Sequence, residues 1–244
     1  FNSQSQAEKN HIIGAFRFEL TKVGVQAIRE RVISMLANAS MELAEAVAAG
    51  IGIAVPPNQQ RALETPAVPE VTMSPALSLL ARPGDGSIKG RKVALLVADG
   101  IDGASLREVH AALARAGAVP RFIGARLGRV QPSAGAAIDV EATLETAPSV
   151  LWDAVVVPGQ DAALGGYGQA KEFLKDQYRH CKTIVCLGGT SALIDAAALP
   201  PTLPDGSADP GLLLMPNAEE AAATLITLLA GPRHVARETD PPRV

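Results

Sequence analysis

The sequence predicts an α/β fold, a doubly wound parallel sheet with helices on both faces, over residues 91–232. Three short apolar runs carry this prediction: Lys92–Ala98 (KVALLVA), Trp152–Val157 (WDAVVV) and Thr183–Leu187 (TIVCL). Continuous apolar runs of this length are typical of strands that are buried on both faces. Helical patterns separate these runs, and strands joined by helices form right-handed crossovers within a parallel sheet.

The remaining elements of this region follow in chain order. The turn Asp99-Gly100 leads into a helix, Ala118–Ile123 is a second strand, and Leu212–Leu214 is a last short strand. Apolar residues at helical spacing predict the helices; they are Leu106, Val109 and Leu113, then Phe173 and Leu174, and finally Leu225, Ile226 and Leu229, with one more helix from Thr190. The Pro-, Arg- and Glu-bearing end, 233–244, is expected to be a frayed tail.

Residues 1–52 predict three short helices. Ser5 followed by Glu8 is a capping-box signature, in which the two side chains satisfy each other's free backbone N–H groups. A second helix carries an apolar stripe of Ile28, Val32, Met35 and Leu36. Ser40 as cap and Gly50 as left-handed stop delimit a third helix. Three such short helices bury little apolar surface against one another, so we expect their apolar faces to pack against a larger domain.

The amino-acid composition changes at residues 53–90, and this region is predicted to be a linker or an extended wrapping arm. Six of the 18 prolines fall here, and no hydrophobic period is sustained; the six are Pro56, Pro57, Pro66, Pro69, Pro75 and Pro83. A structureless stretch of this length is unusual inside a compact domain.

Composition excludes several classes of function. The 244 residues carry 22 basic and 25 acidic side chains, a net charge of −3 with no block of like charge, which argues against nucleic-acid or anionic-membrane partners. The longest uncharged run, 46–60, is too short to span a bilayer and contains two prolines. Two cysteines and the lack of a secretory pattern at the start favour a reducing, cytoplasmic setting.

Ligands of open α/β sheets bind beyond the carboxyl ends of the strands, which directs attention to four turns. These turns are 99–103, 158–161, 188–191 and 215–217. None is a phosphate cradle, because the sequence has neither GxGxxG after the first strand nor a P-loop motif. The glycine-rich stretch Gly165-Gly166-Tyr167-Gly168 lacks the fingerprint spacing and is expected to be a plain turn.

The segment 183–193 has the strand–turn–helix pattern of a nucleophile elbow. The elbow position holds Gly188, which adopts a strained backbone easily but offers no nucleophile. Cys186 lies within the strand and is expected to be a buried core thiol. Cys181 adjoins His180, but a Cys/His metal site needs three or four ligands, and no others lie nearby in sequence.

Other catalytic arrangements are weaker still. Ser191 needs a histidine base and an acid, whereas His110 is expected in mid-helix and His234 in the tail. Asp99 and Asp102 flank a turn, where aspartate commonly caps a helix start rather than acting as a general base. The sequence therefore assigns no catalytic, cofactor-binding or metal-binding residue in this chain.

Three segments of the α/β region together resemble a known family. They are the turn 99–102, the run Asp153–Gly159 and the elbow Gly188-Gly189, and they resemble the DJ-1/PfpI branch of the flavodoxin-like, class I glutamine amidotransferase-like fold. Active members carry Glu in the first turn, Pro-Gly-Gly at the second and Cys-His at the elbow. Here Asp102, Gln160 and Gly188-Gly189 stand at these places. The resemblance implies that this chain keeps the fold of the family but has lost the catalytic activity of its active members.

A second resemblance covers residues 1–52. Its residues are Phe1-Asn2-Ser3-Gln4, Glu8, His11, the run Ala15–Leu20, Lys22-Val23, Ile28–Arg31 and Leu36–Asn38. They resemble the last helices of the haem catalase core. Large-subunit (clade 2) monofunctional catalases continue with a Pro-rich connection and an amidotransferase-like domain without its nucleophile, which is the order of regions in this chain.

This family implies a homotetrameric oxidoreductase that converts hydrogen peroxide to water and oxygen at a buried haem iron. Its distal His and Asn and its proximal Tyr lie in the upstream, barrel-bearing portion, and no residue here matches them. Tyr167, Tyr178 and His11 therefore receive no role from the resemblance. Because the chain begins at Phe1 rather than Met, it is expected to be a structural portion, inactive alone, with the catalase barrel domain as its partner.

Two other functions stay open at this point. One is a free-standing hydrolase or glyoxalase of the amidotransferase-like fold, which Gly188 disfavours because a thioester mechanism needs a thiol there. The other is a binding or chaperone-like module that uses the cleft above Gly188 or the exposed helical face.

Overall fold

A computed structural model describes residues 1–57, 64–65, 68, 70–78 and 84–244. The chain divides into two compact units, Phe1–Arg82 and Pro83–Val244. None of the helices in the described ranges combines the length and the apolar character that a membrane crossing requires.

The described residues of the first unit form three helices, α1 (Gln6–Thr21), α2 (Gln26–Ala39) and α3 (Met41–Gly50). The predicted capping box is confirmed, since the Ser5 N–H donates to Glu8 Oε2 at 3.0 Å and the Glu8 N–H donates to Ser5 Oγ. The Ser40 cap of α3 is also confirmed. Sequence patterning therefore located the starts of both helices.

Two details of this unit differ from the prediction. Helix α2 buries Ile33 and Leu36, whereas Ile28 and Met35 of the predicted stripe are exposed, Met35 by 69%. Gly50 is not the left-handed stop, because that conformation falls on Gly52, with φ +71°. Gly50 instead leaves room for the Arg17 side chain, which donates to the Ala46 carbonyl. A Cβ at position 50 would collide with that guanidinium.

The Pro-rich region lies only partly within the described residues, since 58–63, 66–67, 69 and 79–83 fall outside them. Ile53 and Val55 pack against the helical core. Further along, the Ser74 N–H donates to the Ser3 carbonyl at 3.0 Å, and Ser78 Oγ donates to Glu8 Oε1 at 2.9 Å. Residues 74–78 therefore return to the start of α1, and the extended arm remains a prediction.

In the second unit, residues 84–244 form eight strands and five helices. In chain order they are β1 (Lys92–Leu96), α4 (Gly103–Arg115), β2 (Val119–Gly124), β3 (Gly128–Val130), β4 (Ile138–Val140), β5 (Ala142–Thr143), β6 (Ala154–Val157), α5 (Ala162–Gly165), α6 (Gly168–Arg179), β7 (Thr183–Leu187), α7 (Ala192–Ala197), β8 (Leu212–Met215) and α8 (Ala218–Ala230). Single 3-10 turns span Ser149–Leu151 and Val235–Arg237.

The sheet is parallel throughout, in the order β5-β2-β1-β6-β7-β8, and β3 and β4 form a separate antiparallel hairpin. Every residue of β6 and β7 is buried. Helices α4 and α8 pack together, as do α5, α6 and α7, which gives the two helical layers of a doubly wound fold. The predicted fold class is confirmed, while the short strands β3 to β5 were missed.

Candidate functional site

Three of the predicted turns converge at the carboxyl edge of the sheet. The Asp102 N–H donates to the Gly159 carbonyl at 2.9 Å, which joins the turn after β1 to the turn after β6. A Cβ at Gly188, after β7, would lie 3.5 Å from the Gly159 Cα atom. This convergence is the place where open α/β sheets bind ligands.

The elbow keeps its backbone shape but lacks reactive groups. Gly188 and Gly189 both adopt positive φ, +84° and +76°, a conformation that disfavours residues with a Cβ. Their N–H groups donate to the Met215 carbonyl, at 2.9 and 3.3 Å. Because these two N–H groups already have partners, the turn offers neither a nucleophile nor a pair of free oxyanion donors at these positions.

Asp102 is a helix cap, as the sequence predicts. Its Oδ1 accepts from the N–H groups of Ala104 and Ser105, and its Oδ2 accepts from Ser105 Oγ at 2.6 Å. Asp99 does not cap the helix, because its Oδ1 accepts from the Gln131 N–H at 2.7 Å. Asp99 therefore anchors the loop between β3 and β4.

That loop lies against the first turn of the candidate site. The Ser133 N–H donates to the Ile101 carbonyl at 2.9 Å, and Pro132 packs so closely on Gly103 that a Cβ there would collide with it. Arg107 of α4 donates to the carbonyls of Ala136 and Ala137, at 2.6 and 2.8 Å. Hairpin β3–β4 is thereby held against the turn that carries Asp102.

Asp161 is a buried carboxylate that the sequence analysis missed. It is only 4% exposed and accepts from Ser191 Oγ at 2.6 Å and from the N–H groups of Ala192 and Leu193, at 3.0 and 3.1 Å. The Ser191 hydroxyl in turn accepts from the Ile194 N–H. Asp161 and Ser191 together start α7, and the signal that could have found Asp161 is its place in one of the four carboxyl-end turns.

The histidines named in the sequence analysis do not join Ser191. His110 of α4 stacks on the Phe122 ring with centroids 4.8 Å apart. His234 Nε2 lies 3.0 Å from Thr183 Oγ1 at the start of β7, the opposite end of the strand from the elbow. A Ser–His–Asp arrangement is therefore not assembled around Ser191.

Both cysteines are buried thiols. Cys186 is inaccessible, and burial raises the pKa of its thiol to about 12. Cys181, with 3% exposure, has its thiol pKa raised to about 11, again chiefly by burial. The thiolate is the reactive form of cysteine, so neither residue is poised as a nucleophile at neutral pH.

In the part of the chain that the structure describes, the other residues considered as ligands or catalytic groups do not form a site. Within the described ranges, no three His, Cys, Asp or Glu side chains are grouped to hold a metal ion. His11 lies exposed on α1. The stretch 165–168 ends α5 and starts α6, so it is the predicted turn. Tyr167 is 38% exposed, whereas Tyr178 is buried with its ring 4.7 Å from the Arg237 guanidinium.

The last segment of the chain is not frayed, which corrects the prediction for 233–244. Arg237 is 3% exposed and forms a bidentate ion pair with Asp209, with N···O distances of 2.7 and 3.1 Å. Its Nη1 also donates to the Lys182 carbonyl at 2.6 Å. Pairing between residues this far apart in sequence leaves no local pattern by which it could be predicted.

Comparison with known proteins now adds the family. A model for the "C-terminal domain found in long catalases" (Catalase_C) matches residues 89–239. The chain belongs to this Catalase_C family. A second model, "Catalase-related immune-responsive", matches residues 1–51, the three-helix region. The resemblance to the large-subunit catalases is thereby confirmed at the level of family, and the α/β fold that the other resemblance implied is confirmed as flavodoxin-like in kind.

Individual relatives agree with the family models. The chain is 40% identical to catalase HPII of Pseudomonas putida over 189 residues, which cover 76% of this chain and 26% of the relative. It is 37% identical to catalase HPII of Pseudomonas aeruginosa over 218 residues, 88% of the chain and 29% of the relative. The chain is 34% identical to catalase C of Rhizobium meliloti over 228 residues, which cover 92% of this chain and 31% of the relative. The chain thus spans less than a third of these relatives' lengths.

Proposed function

We propose that this chain is a structural portion of a long haem catalase, an enzyme of the oxidative stress response that converts hydrogen peroxide to water and oxygen. In this proposal the chain supports stability and homotetramer assembly in the cytoplasm, while the haem site lies in an upstream barrel domain. The four-part division into 1–52, 53–90, 91–232 and 233–244 belongs to the same proposal.

The observation that carries the proposal is the elbow at Gly188. The Catalase_C fold brings the turns of a possible active site together, yet the elbow has no nucleophile and its two N–H groups bind the Met215 carbonyl. Asp102 and Asp161 serve as caps of α4 and α7. With the polar groups engaged in structure, the α/β unit supports packing rather than catalysis.

The residues described here do not fit a haem. Haem ligation needs a positioned axial ligand in a closed pocket, and catalases use a tyrosine. Tyr178 packs beneath Arg237, and burial raises the pKa of its phenol, which opposes the phenolate form. Tyr167 lies at a surface turn, and the exposed His11 stands on a helix of the first unit. The proposal therefore places the haem on residues outside this chain.

Exposed apolar side chains on the first unit support its association with further catalase residues. Phe18 is 63% and Met35 69% exposed, on α1 and α2 respectively, and Val25 and Met41 at helix ends are exposed as well. Exposed apolar side chains of this size can be buried against a partner.

The first test uses recombinant 1–244 supplied with haem. After unbound haem is removed by gel filtration, we expect no Soret band in the protein fraction and no oxygen evolution from peroxide, whereas the full-length polypeptide that contains these residues should show both. A haem-loaded, active preparation of 1–244 alone would contradict the proposal.

The second test addresses assembly in the full-length polypeptide. Phe18→Glu is expected to lower the yield of tetramer in analytical ultracentrifugation, because it replaces an exposed apolar side chain with a charge. Glu19→Gln, a neighbouring exposed position, is the matched control and should leave the yield unchanged. Equal tetramer yields for the two variants would argue against a structural role of this face.

A further inference from the structure

The segment after α8 docks across the amino ends of β7 and β8. The His234 N–H donates to the Cys181 carbonyl at 2.8 Å, and Arg237 Nη1 donates to the Lys182 carbonyl. The Arg237–Asp209 pair, with both side chains only 1% exposed, fixes the far end of the segment. A contiguous stretch of chain is thus held by one buried ion pair and by bonds to two successive carbonyls.

Gly211, just before β8, makes this docking possible. A Cβ at position 211 would collide with the imidazole ring of His234 and with the guanidinium of Arg237. The Gly211 N–H also donates to Asp209 Oδ1 at 2.8 Å. The docked segment therefore depends on close contact at one glycine whose backbone φ is not itself unusual.

His234 is the titratable group at the centre of this contact. Its Nε2 lies 3.0 Å from Thr183 Oγ1, and its ring lies between the start of β7 and Gly211. The titratable and charged groups around it are Arg233, Arg237 and Glu238 on the segment, Tyr178 and His180 on α6 and its cap, Cys181 and Lys182 before β7, and Asp209 before β8. The Asp209 carboxylate is already engaged by Arg237 and by the Gly211 N–H.

We propose that residues 232–238 form a latch that opens in mildly acidic solution, when His234 takes up a proton. The new charge arises in a partly buried contact beside the Arg237 guanidinium, whose counter-ion is already used. Opening frees the amino ends of β7 and β8 and exposes the Cys181 thiol, while the rest of the sheet stays folded. This is a conformational device at the edge of the sheet opposite the elbow.

The direction of the pH effect follows from proton linkage. Burial, and next the Arg237 charge, lower the pKa of docked His234 below its ordinary 6.5, and the opposing effect of the Asp209 charge is smaller. The released segment therefore binds the proton more tightly than the docked one, and docking weakens as pH falls below about 6.5. Above that pH the latch has its full stability.

Cys181 supplies a native reporter of opening. Its Sγ faces the segment, 3.9 Å from Glu238 Oε1, whereas Cys186 lies inside β7. Both thiols stay protonated between about pH 5 and 7.5, so their thiolate fractions change in parallel and the ratio of their labelling rates reports accessibility. Global unfolding exposes both, and latch opening exposes Cys181 alone.

The experiment labels the full chain with dithiodipyridine, which reacts in mild acid, and quantifies each cysteine peptide by mass spectrometry. In the unsubstituted chain the Cys181 to Cys186 ratio is expected to rise severalfold between about pH 7.5 and 5.5. In His234→Gln, which keeps a polar atom near Thr183 but does not titrate, the ratio should stay flat. Gly211→Ala, which displaces the segment sterically, should raise the ratio at every pH.

His110→Gln is the matched control, because burial also lowers the pKa of His110 but its ring stacks on Phe122, away from the docked segment. It should behave like the unsubstituted chain. A flat ratio in the unsubstituted chain, a rise that persists in His234→Gln, or labelling of Cys186 in step with Cys181 would each overturn the latch.

Discussion

The two ends of the same parallel sheet use polar groups in different ways. At the carboxyl edge, Asp102 and Asp161 accept hydrogen bonds from the starts of α4 and α7, and Gly188 stands where a nucleophile would be. At the amino edge, Arg237 and Asp209 form an ion pair whose side chains are almost fully buried. At one edge carboxylates cap helices, and at the other a buried carboxylate is paired with a buried cation.

Lys182 strengthens this contrast. It lies at the amino edge with 4% exposure and donates to the carbonyls of Ser149 and Val150, both at 3.2 Å. Burial lowers the pKa of its ammonium group. Removing the partly exposed Asp102 cap leaves N–H groups that water can reach, whereas removing one member of a buried pair leaves a charge without a partner. Substitutions at the amino edge should therefore have the larger effects.

The largest effect is expected for Arg237→Met. It leaves the Asp209 carboxylate buried with no counter-ion, which costs about 3–5 kcal/mol of unfolding free energy. Urea unfolding followed by the fluorescence of Trp152, the single tryptophan and a core residue of the α/β unit, measures this loss.

Two further variants sharpen that result. Adding Asp209→Leu to Arg237→Met should recover part of the stability, since the unpaired charge is then removed. Arg129→Met breaks the exposed Arg129–Asp139 pair and should leave the unfolding midpoint unchanged. If Arg237→Met and Arg129→Met unfold at the same urea concentration, the contrast between the edges is wrong.

Asp161→Ala is the carboxyl-edge counterpart and should have an intermediate effect. It removes the acceptor for Ser191 Oγ and for the Ala192 and Leu193 N–H groups at a buried position, so we expect a loss of about 2 kcal/mol in the same assay. Ser191→Ala, which removes only the hydroxyl, should cost about 1 kcal/mol. A loss for Asp161→Ala as large as that for Arg237→Met would show that this edge also depends on desolvated charge.

Gly188→Cys tests whether a nucleophile is the only catalytic group that the elbow lacks. Its Cβ has room, with Gly159 Cα 3.5 Å away, but its positive φ should cost about 1–2 kcal/mol. Iodoacetamide at neutral pH should label the introduced thiol rapidly, because position 188 is exposed, and should leave Cys181 and Cys186 unmodified.

The native cysteines serve as internal controls in that experiment. No ester hydrolysis with repeated turnover is expected, because Asp102 is engaged as a cap and the elbow N–H groups bind Met215. Rapid labelling of Cys186 in the unsubstituted chain would reopen the hydrolase interpretation. Sustained turnover by Gly188→Cys would show that the remaining site is still organised for catalysis.

Local patterns explain how much of the fold was predictable. The buried runs at β1, β6 and β7 predicted the parallel sheet because strands covered on both faces are apolar throughout. Strands β3 to β5 are two or three residues long, too short for any period to appear. The prediction of the buried face of α2 was partly wrong because an apolar residue at helical spacing can also face outward, as Met35 does.

Only those features of the candidate site that depend on residues close together in sequence could be predicted. Asp102 two residues before Ala104 is a cap signature, and Gly188 in a strand-to-helix turn is visible in the sequence. The partnership of Asp161 with Ser191, 30 residues apart, and that of Asp209 with Arg237, 28 residues apart, arise from topology. Contacts of that kind depend on which strand ends the sheet places side by side.

The smallest expected effect tests whether Asp102 stabilises the start of α4 as a hydrogen-bond acceptor or through its charge. A cap needs only an acceptor in reach of the first N–H groups of α4, so Asp102→Ser should lower the unfolding free energy by a few tenths of a kcal/mol and Asp102→Ala by about 1 kcal/mol. Urea titration of both variants, monitored by Trp152, measures the difference. Because the serine variant lacks the carboxylate but keeps the cap, near-native stability for serine together with a clear loss for alanine identifies the hydrogen-bond acceptor as what matters at this edge. Equal losses for serine and alanine would instead assign the role to the charge, and the carboxyl edge would then resemble the amino edge.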